Sequence, residues 1–283
     1  MLLNLEHVQK TYGTFSLDVS LKVQEGQVIG FIGANGAGKS TTFKAILGLI
    51  HSDAGVCEMF DKPVKELTVA DKEKLGVVLA ESGFSGYITV KDVMDIMAAM
   101  YQDFSKADFK SRCEKFCIPL NKQIKEFSTG MKAKLKVLAA LSHDAKLLIL
   151  DEPTAGLDVV AREEVLDMLR EYMEDDTKGI IISSHISSDL EGICDELYMI
   201  DNGSIAMHEE TDVLLSEYGV LKVTPEQYEE LDKQYLLKVK KEQACYRCLT
   251  SQKMYYMENY PEIIIENGSI DDLMVVMLRG EEV

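Results

Sequence analysis

The chain lacks long apolar runs and is short of basic residues. Its longest uninterrupted apolar stretches are strand-sized, well below the roughly 18–20 residues that span a bilayer. The first residues, Met1–Glu6, show no cationic stretch followed by an apolar run, so we expect no secretory signal. Lysine and arginine number 30 against 48 aspartates and glutamates, a net charge of −18. Because that sign repels phosphate backbones and anionic headgroups, we expect no nucleic-acid partner and no direct membrane insertion.

Cysteine is sparse as well, with six residues in a chain of 283. In a chain without a visible signal, this number indicates free thiols in a reducing cytosol. Cys245 and Cys248 have the spacing of metal ligands, but no second cysteine or histidine pair accompanies them. Cys113 and Cys117 are distant in the sequence. Since structural zinc sites usually need four protein ligands, we expect no zinc site here.

Apolar patterns divide the chain into alternating strands and helices. The alternation from Phe15 to Val23 predicts an antiparallel strand with one buried face, and the run Val28–Ile32 predicts a strand buried on both faces. Further strands are predicted at 75–79, 146–150 and 179–184, and residues 87–143 are mostly helical. These patterns predict an α/β fold. After Tyr218 the pattern changes, and we expect a folded appendage that closes with a helix capped at Ser269.

A glycine-rich loop, Gly33–Ser40, lies between a predicted strand and a predicted helix, which is the context of a phosphate-binding loop. Its glycines allow backbone N–H groups to surround a phosphate, and the helix adds the positive end of its dipole. Lys39 is expected to pair with β- and γ-phosphate oxygens, and the Ser40 hydroxyl to ligate Mg²⁺. The predicted ATP-binding residues of this segment are Gly33, Asn35, Gly36, Ala37, Gly38, Lys39, Ser40 and Thr41.

Two acidic residues, Asp151 and Glu152, end an apolar strand, at the position where open α/β sheets bind ligands. We expect Asp151 to assist in holding Mg²⁺ and Glu152 to polarise the attacking water, since phosphoryl transfer needs mainly positioning and electrostatics. His185 ends the next strand, where it is placed to reach the γ-phosphate. A strand-end acid pair or histidine can also serve structure alone.

The turn Ser128–Gly130 precedes a predicted helix at 131–143. It can present hydroxyl and amide donors with a helix dipole behind them. The alternative for such a turn is an ordinary helix N-cap.

The phosphate loop, this turn, the Asp151–Glu152 strand end, Gly156–Asp158 and His185 follow one another in the order of the ATP-binding-cassette (ABC) ATPases, which the chain resembles over residues 1 to about 210. The resemblance implies a P-loop NTPase (RecA-like) core, an N-terminal antiparallel β-subdomain and an inserted α-helical subdomain at about 85–143. It divides the chain into a nucleotide-binding domain, 1–218, and a small C-terminal α+β appendage, 219–283, whose role it leaves open.

The same resemblance implies that two such subunits dimerise head to tail around two ATP–Mg²⁺. Ser128 and Gly130 are then expected to touch the γ-phosphate held by the opposite subunit, and Asp158 to act across the dimer. Tyr12 is expected to stack on adenine, a contact worth roughly 1–3 kcal/mol for a base on an aromatic ring. A strand-end tyrosine packed in a core is the competing interpretation of Tyr12.

Three positions depart from the commonest family pattern. Thr129 and Met131 replace a glycine and a glutamine, and Glu81 stands where a glutamine usually reaches the metal and the water. These replacements recur in the ABC-2 type exporter subfamily, which includes ATPases for antimicrobial-peptide, drug and phenol-soluble-modulin export. Glu81 is therefore a candidate catalytic and metal-binding residue, or else a solvated loop acid.

The resemblance implies an ATPase that drives an export-type ABC transporter from the cytoplasmic face of the membrane. Its expected partners are a like subunit, in a homodimer or a pair, and a separate integral-membrane permease. The loop Glu81–Tyr87 and the helices after it are expected to receive a helix of that permease. A DNA-repair cassette ATPase is disfavoured because it would need long coiled coils. A ribosome-associated cassette ATPase is disfavoured because it would need two phosphate loops. A nucleotide switch with little or no hydrolysis stays open as the alternative.

Overall fold

The computed structural model describes residues 1–266 and 269–283 and contains two β-sheets within them. The strands of the first sheet are β1 (Leu3–Tyr12), β2 (Phe15–Val23), β3 (Val28–Ile32), β4 (Ala54–Met59), β5 (Lys62–Pro63), β6 (Leu75–Val78), β7 (Leu147–Asp151), β8 (Gly179–Ser184), β9 (Glu196–Asp201) and β10 (Ser204–Glu210). Their spatial order is β5-β4-β1-β2-β10-β9-β3-β8-β7-β6.

One half of this sheet is parallel and carries the site. β3 lies between β8 and β9, and β7 lies between β8 and β6, all in parallel register. Every residue of β3, β7 and β8 is buried, as expected for the apolar runs of strands covered on both faces. The carboxyl ends of these three strands therefore meet at one edge, where the loops that follow them come together.

In the other half, β1 lies between β2 and β4 and pairs antiparallel with both. In β2, Leu17, Val19, Leu21 and Val23 are buried while the residues between them are more exposed, so the predicted one-sided strand is confirmed. This half forms the N-terminal β-subdomain. Tyr12 and Phe15 face each other across the turn that joins β1 to β2.

Helices cover the sheets and form a separate group between β6 and β7. They are α1 (Lys39–Ile46), α2 (Val69–Lys72), α3 (Val90–Met100), α4 (Lys106–Lys115), α5 (Thr129–Leu141), α6 (Val159–Tyr172), α7 (Ser187–Glu191), α8 (Thr211–Glu217), α9 (Pro225–Glu230), α10 (Lys253–Asn259) and α11 (Ile270–Arg279). Helices α3 to α5 occupy the segment predicted as helical. α5 begins at Thr129, two residues earlier than predicted, because Ser128 accepts a hydrogen bond from Met131 N and caps it.

A second sheet follows Gly219. Its strands, in the order β12-β13-β11-β14, are β11 (Gly219–Val223), β12 (Leu236–Lys241), β13 (Tyr246–Thr250) and β14 (Ile264–Glu266). Ser269 caps α11, as predicted. Cys248 is buried within β13, whereas Cys245 precedes the strand and is partly exposed. Burial raises the pKa of the Cys248 thiol to about 12.

The predicted fold class is confirmed: the chain is an α/β protein with a P-loop core, an antiparallel β-subdomain, a helical insertion and a small α+β region at the C-terminal end. The strand at 75–79 is less buried than predicted. β6 is the edge strand of the sheet, and Val77 is 37% exposed there. Among residues 1–266 and 269–283, none of the helices combines the length and apolarity needed to cross a bilayer.

Candidate functional site

A cavity of about 530 Å³ opens at the carboxyl ends of the parallel strands. The residues lining it are Phe15, Ala34, Asn35, Gly36, Gly38, Lys39, Ser40, Thr41, Ala80, Glu152, Ala155 and His185. The phosphate loop, one of the two strand-end acids and the strand-end histidine therefore share one cavity, although they lie far apart in the sequence. The cavity lies where the topology places ligands in an open α/β sheet.

The phosphate loop wraps around the Lys39 side chain, which is 7% exposed. Lys39 Nζ donates hydrogen bonds to Gly33 O at 2.6 Å and Ala34 O at 3.3 Å. Gly36 and Gly38 have φ of 84° and 122°, in the region that favours glycine. These backbone turns place the first N–H groups of α1 at the cavity, where they provide a phosphate cradle.

Ser40 and Asp151 link the phosphate loop to β7. Ser40 Oγ donates to Asp151 Oδ2 at 2.9 Å, and Ser183 Oγ donates to Asp151 Oδ1 at 2.7 Å. A hydroxyl and a carboxylate beside a phosphate cradle are the hard oxygen donors that suit Mg²⁺, which usually takes one or two carboxylates with phosphate oxygens and waters. These residues fit the metal expected with ATP. Ser183 was not singled out from the sequence, although a small polar residue ending an apolar strand was a usable signal.

Glu152 has a backbone φ of 52°, rare for a glutamate and of the kind that clusters at functional sites. Its N–H donates to Ser183 Oγ at 2.9 Å, which helps to hold this conformation. The carboxylate lies 3.7 Å from Lys39 Nζ through Oε1, and Oε2 accepts a hydrogen bond from His185 N at 3.2 Å. The Nδ1 atom of His185 also lies within hydrogen-bond distance of Oε2. The lysine, the acid and the histidine are thus in contact.

Tyr12 is not among the residues lining the cavity, whereas Phe15 is. Tyr12 is 48% exposed, and Lys10 Nζ lies 5.4 Å from the centre of its ring. Lys10 in turn pairs with Asp53 at 2.7 Å, and Asp53 accepts a hydrogen bond from Thr11 N at 2.8 Å. Phe15 was not predicted as a site residue from the sequence. Its place next to Tyr12 across a tight turn was the signal that both aromatic rings lie at one end of the hairpin.

Glu81 lies in the exposed loop after β6. The cavity is lined by its neighbour Ala80 and not by Glu81. In the part of the chain that the structure describes, the Glu81 carboxylate forms no hydrogen bond or ion pair. The structure therefore does not bring Glu81 together with Ser40 and Asp151.

Ser128, Gly130 and Asp158 also lie outside the cavity. Ser128 and Asp158 are the N-caps of α5 and α6, and Asp158 Oδ1 accepts from Ala161 N at 2.9 Å. A Cβ atom on Gly130 would come within 2.9 Å of the Ala161 side chain, so a glycine allows the two helix starts to meet. The three residues therefore form a second surface away from the phosphate loop of their own chain.

The sequence profile described as "ABC transporter" matches residues 17–155. The chain is 32% identical over 221 residues to the linearmycin resistance ATP-binding protein LnrL of Bacillus subtilis (strain 168), covering 75% of this chain and 70% of that protein. It is 34% identical over 209 residues to the Nod factor export ATP-binding protein I of Burkholderia lata, covering 71% and 68% respectively. The chain belongs to the family of ABC transporter ATP-binding proteins.

The fold is also that of a solved cassette. The dimeric structure of a post-hydrolysis state of the ATP-binding cassette MJ0796, bound to ADP and Pi, superimposes with a TM-score of 0.65. The sequence identity is 21%, and the match covers 74% of this chain and 99% of that chain. At this identity the likeness concerns the fold alone.

Proposed function

We propose that this chain is the ATP-hydrolysing subunit of an export-type ABC transporter, with residues 1–218 as the nucleotide-binding domain and 219–283 as an accessory domain. The observation that carries the proposal is the meeting of Lys39, Glu152 and His185 in one cavity beside the Ser40–Asp151 pair. Each of these side chains has a separate part in phosphoryl transfer, which relies on positioning and electrostatic stabilisation.

In this proposal the phosphate loop binds the β- and γ-phosphates through its N–H groups and Lys39. Ser40, with Asp151 behind it, would hold Mg²⁺, which neutralises phosphate charge when it is bound. Glu152 orients the attacking water and accepts its proton. His185, held by Glu152, donates a hydrogen bond to the γ-phosphate. Phe15 and Tyr12 offer two aromatic faces for the adenine at the end of the β1–β2 hairpin.

The active form is proposed to be a dimer. Ser128, Gly130 and Asp158 do not line the cavity of their own chain, so they serve an ATP site only if that site belongs to a second subunit. A two-fold axis would place the Ser128 turn of each subunit opposite the phosphate loop of the other, giving two equivalent sites. The dimeric MJ0796 cassette supports this arrangement by its fold. ATP then favours the closed dimer because it contacts both subunits there.

A separate membrane subunit is proposed as the second partner. A groove of about 1250 Å³ runs between the β6 edge and α3. Its wall includes Leu49, Val77, Ile96 and Met100, which are 61%, 37%, 43% and 61% exposed. Exposed apolar side chains grouped in this way mark an interaction surface. Ser82, Gly83 and Phe84 also line the groove, so a helix bound there would adjoin the loop that follows β6.

The charge of the groove defines the chemistry of that helix. Although the chain carries 48 acidic residues, no aspartate or glutamate is found among the described residues that line the groove. Its charged side chains are Lys65, Lys72 and Lys136. Burial lowers the pKa of Lys136, so its ammonium gains from a carboxylate partner. We therefore propose a cytoplasmic helix with an apolar face and at least one acidic residue as the occupant.

Export as the direction of transport rests on the named relatives, which serve linearmycin resistance and Nod factor export. Thr129, Met131 and Glu81, the departures shared with ABC-2 type exporters, support the same direction. The chain would then act at the cytoplasmic face of the membrane, held there by the membrane subunit.

Phosphate release from Mg-ATP by the purified chain tests the enzymatic part of the proposal. We expect turnover that Glu152→Gln reduces by about 10²–10⁴-fold, the usual contribution of a positioned acid or base. If neither the isolated chain nor its complex with the membrane subunit releases phosphate, the protein is a nucleotide switch.

A further inference from the structure

Helix α7 lies between the C-terminal region and the nucleotide cavity. It begins at Ser187, just after His185, and its Leu190 side chain is fully buried. Leu190 belongs to the same continuous apolar core as Ile270 and Leu273 of α11, and α7 and α11 pack against each other. The closing helix of the chain therefore rests on the segment that carries His185.

A charged contact joins the same two helices. Glu191, the last residue of α7, accepts a hydrogen bond at its Oε1 from Ile270 N at 3.0 Å. Ile270 is the first residue of α11, so its N–H has no acceptor within its own helix. A carboxylate at this end also interacts favourably with the helix dipole. Glu191 thus anchors the start of α11 to the end of α7.

The opposite side of α7 contacts the segments that follow Glu152 and Asp158. Asp189 is 1% exposed and accepts a hydrogen bond from Thr154 Oγ1 at 2.6 Å. It also lies 3.6 Å from Arg162 Nε, in the first turn of α6. One short helix therefore contacts α11, the residues after Glu152 and the start of α6.

We propose that the C-terminal region, residues 219–283, braces α7 and so orders the segment His185–Glu191 for hydrolysis. This inference rests on the proposed ATPase function. Catalytic groups must be held close to the productive geometry, and helices and strands hold them better than loops. α7 has only one and a half turns and needs tertiary packing to stay formed. Glu191 is the positioning residue of this brace, acting through α7 on His185.

Glu191→Ala in the full chain tests the brace. The variant leaves the phosphate loop untouched, so we expect an unchanged KM for ATP and a kcat lowered by about three- to tenfold, the usual net effect of one lost hydrogen bond. Amide hydrogen exchange of residues 185–191 should accelerate by a similar factor. Glu191→Gln should recover most of the activity, because its amide oxygen accepts the same bond from Ile270 N.

Glu174→Ala is the matched control, since Glu174 is exposed and its side chain forms no hydrogen bond or ion pair within the described residues. In a His185→Ala background, Glu191→Ala should lower kcat by a smaller factor than in the natural chain, because both residues act through one segment. An equal loss in both backgrounds, or unchanged exchange at 185–191, overturns the brace. Absence of turnover in the natural chain contradicts the ATPase proposal instead, while the exchange measurement still tests the brace.

Discussion

Lys39 Nζ and Glu152 Oε1 lie 3.7 Å apart, and both side chains are mostly buried. The contact joins the loop after β3 to the end of β7, two strands separated in the sheet by β8. The ammonium proposed to bind phosphate and the carboxylate proposed to orient the attacking water are thus neighbours in one cavity.

Lys39→Ala should weaken ATP binding by about 10- to 100-fold, the loss of charge-assisted hydrogen bonds worth about 1.5–3 kcal/mol. The exposed Lys44, on the same helix, provides the control Lys44→Ala, which should bind as the natural chain does. Titration with a fluorescent ATP analogue measures both. Equal affinities for the two variants contradict the role of Lys39.

Ser128→Arg should abolish turnover and leave ATP binding by the single chain intact, because Ser128 lies outside its own cavity. Mixing this variant with Lys39→Ala should restore activity. Half of the dimers are then mixed, and each mixed dimer has one intact site, so we expect about a quarter of natural turnover for independent sites. A mixture as inactive as its components argues against a site shared between subunits.

Lys136→Glu should reduce co-purification of the chain with its proposed membrane subunit, while phosphate release by the isolated chain stays unchanged. The reversed charge would repel the acidic residue proposed for the bound helix. Lys122→Glu makes the same charge change at an exposed position outside the groove lining and should co-purify normally. Loss of co-purification in both variants would mean that net charge, and not the groove, decides the interaction.

His143 should make the fold sensitive to acid. Its ring is stacked on Tyr101 with centroids 3.9 Å apart, and its Nε2 lies 2.9 Å from Leu75 O. Burial lowers its pKa below the ordinary 6.5, although the carbonyls of Leu75 and Ala139 act in the opposite direction.

The unfolded chain therefore binds more protons at His143 below pH 6.5, so the stability contributed by the neutral ring is lost as pH falls through that range. Going from about pH 7.5 to about pH 5.5 should lower the melting temperature of the natural chain more than that of His143→Gln. Parallel pH profiles for the two proteins contradict this role.

The sequence predicted the elements whose signal is local. The loop Gly33–Ser40 and the strand end at Asp151 and Glu152 were placed correctly because a spacing or an apolar run defines each of them. The roles assigned to their residues stay predictions. The packing of distant segments, such as Leu190 against α11, could not be predicted, because no local sequence pattern indicates which surfaces come into contact.

Backbone conformation was a second feature that could not be predicted from the sequence. The φ of 52° at Glu152 depends on a hydrogen bond to Ser183 in another strand, and the residue type gives no sign of it. Likewise, Phe15 lines the cavity and Tyr12 does not, although the two aromatic residues pair with each other at one end of the same hairpin.

In the proposed function, ATP is held and hydrolysed between two copies of this chain. Light scattering on Glu152→Gln with and without ATP tests it most directly, because this substitution keeps the binding groups and removes the carboxylate. We expect the mass of one chain without nucleotide and of two chains with Mg-ATP, and the ATP-bound dimer should disappear when Ser128→Arg is added. A single-chain mass under all conditions, with ATP bound, would contradict dimerisation around ATP.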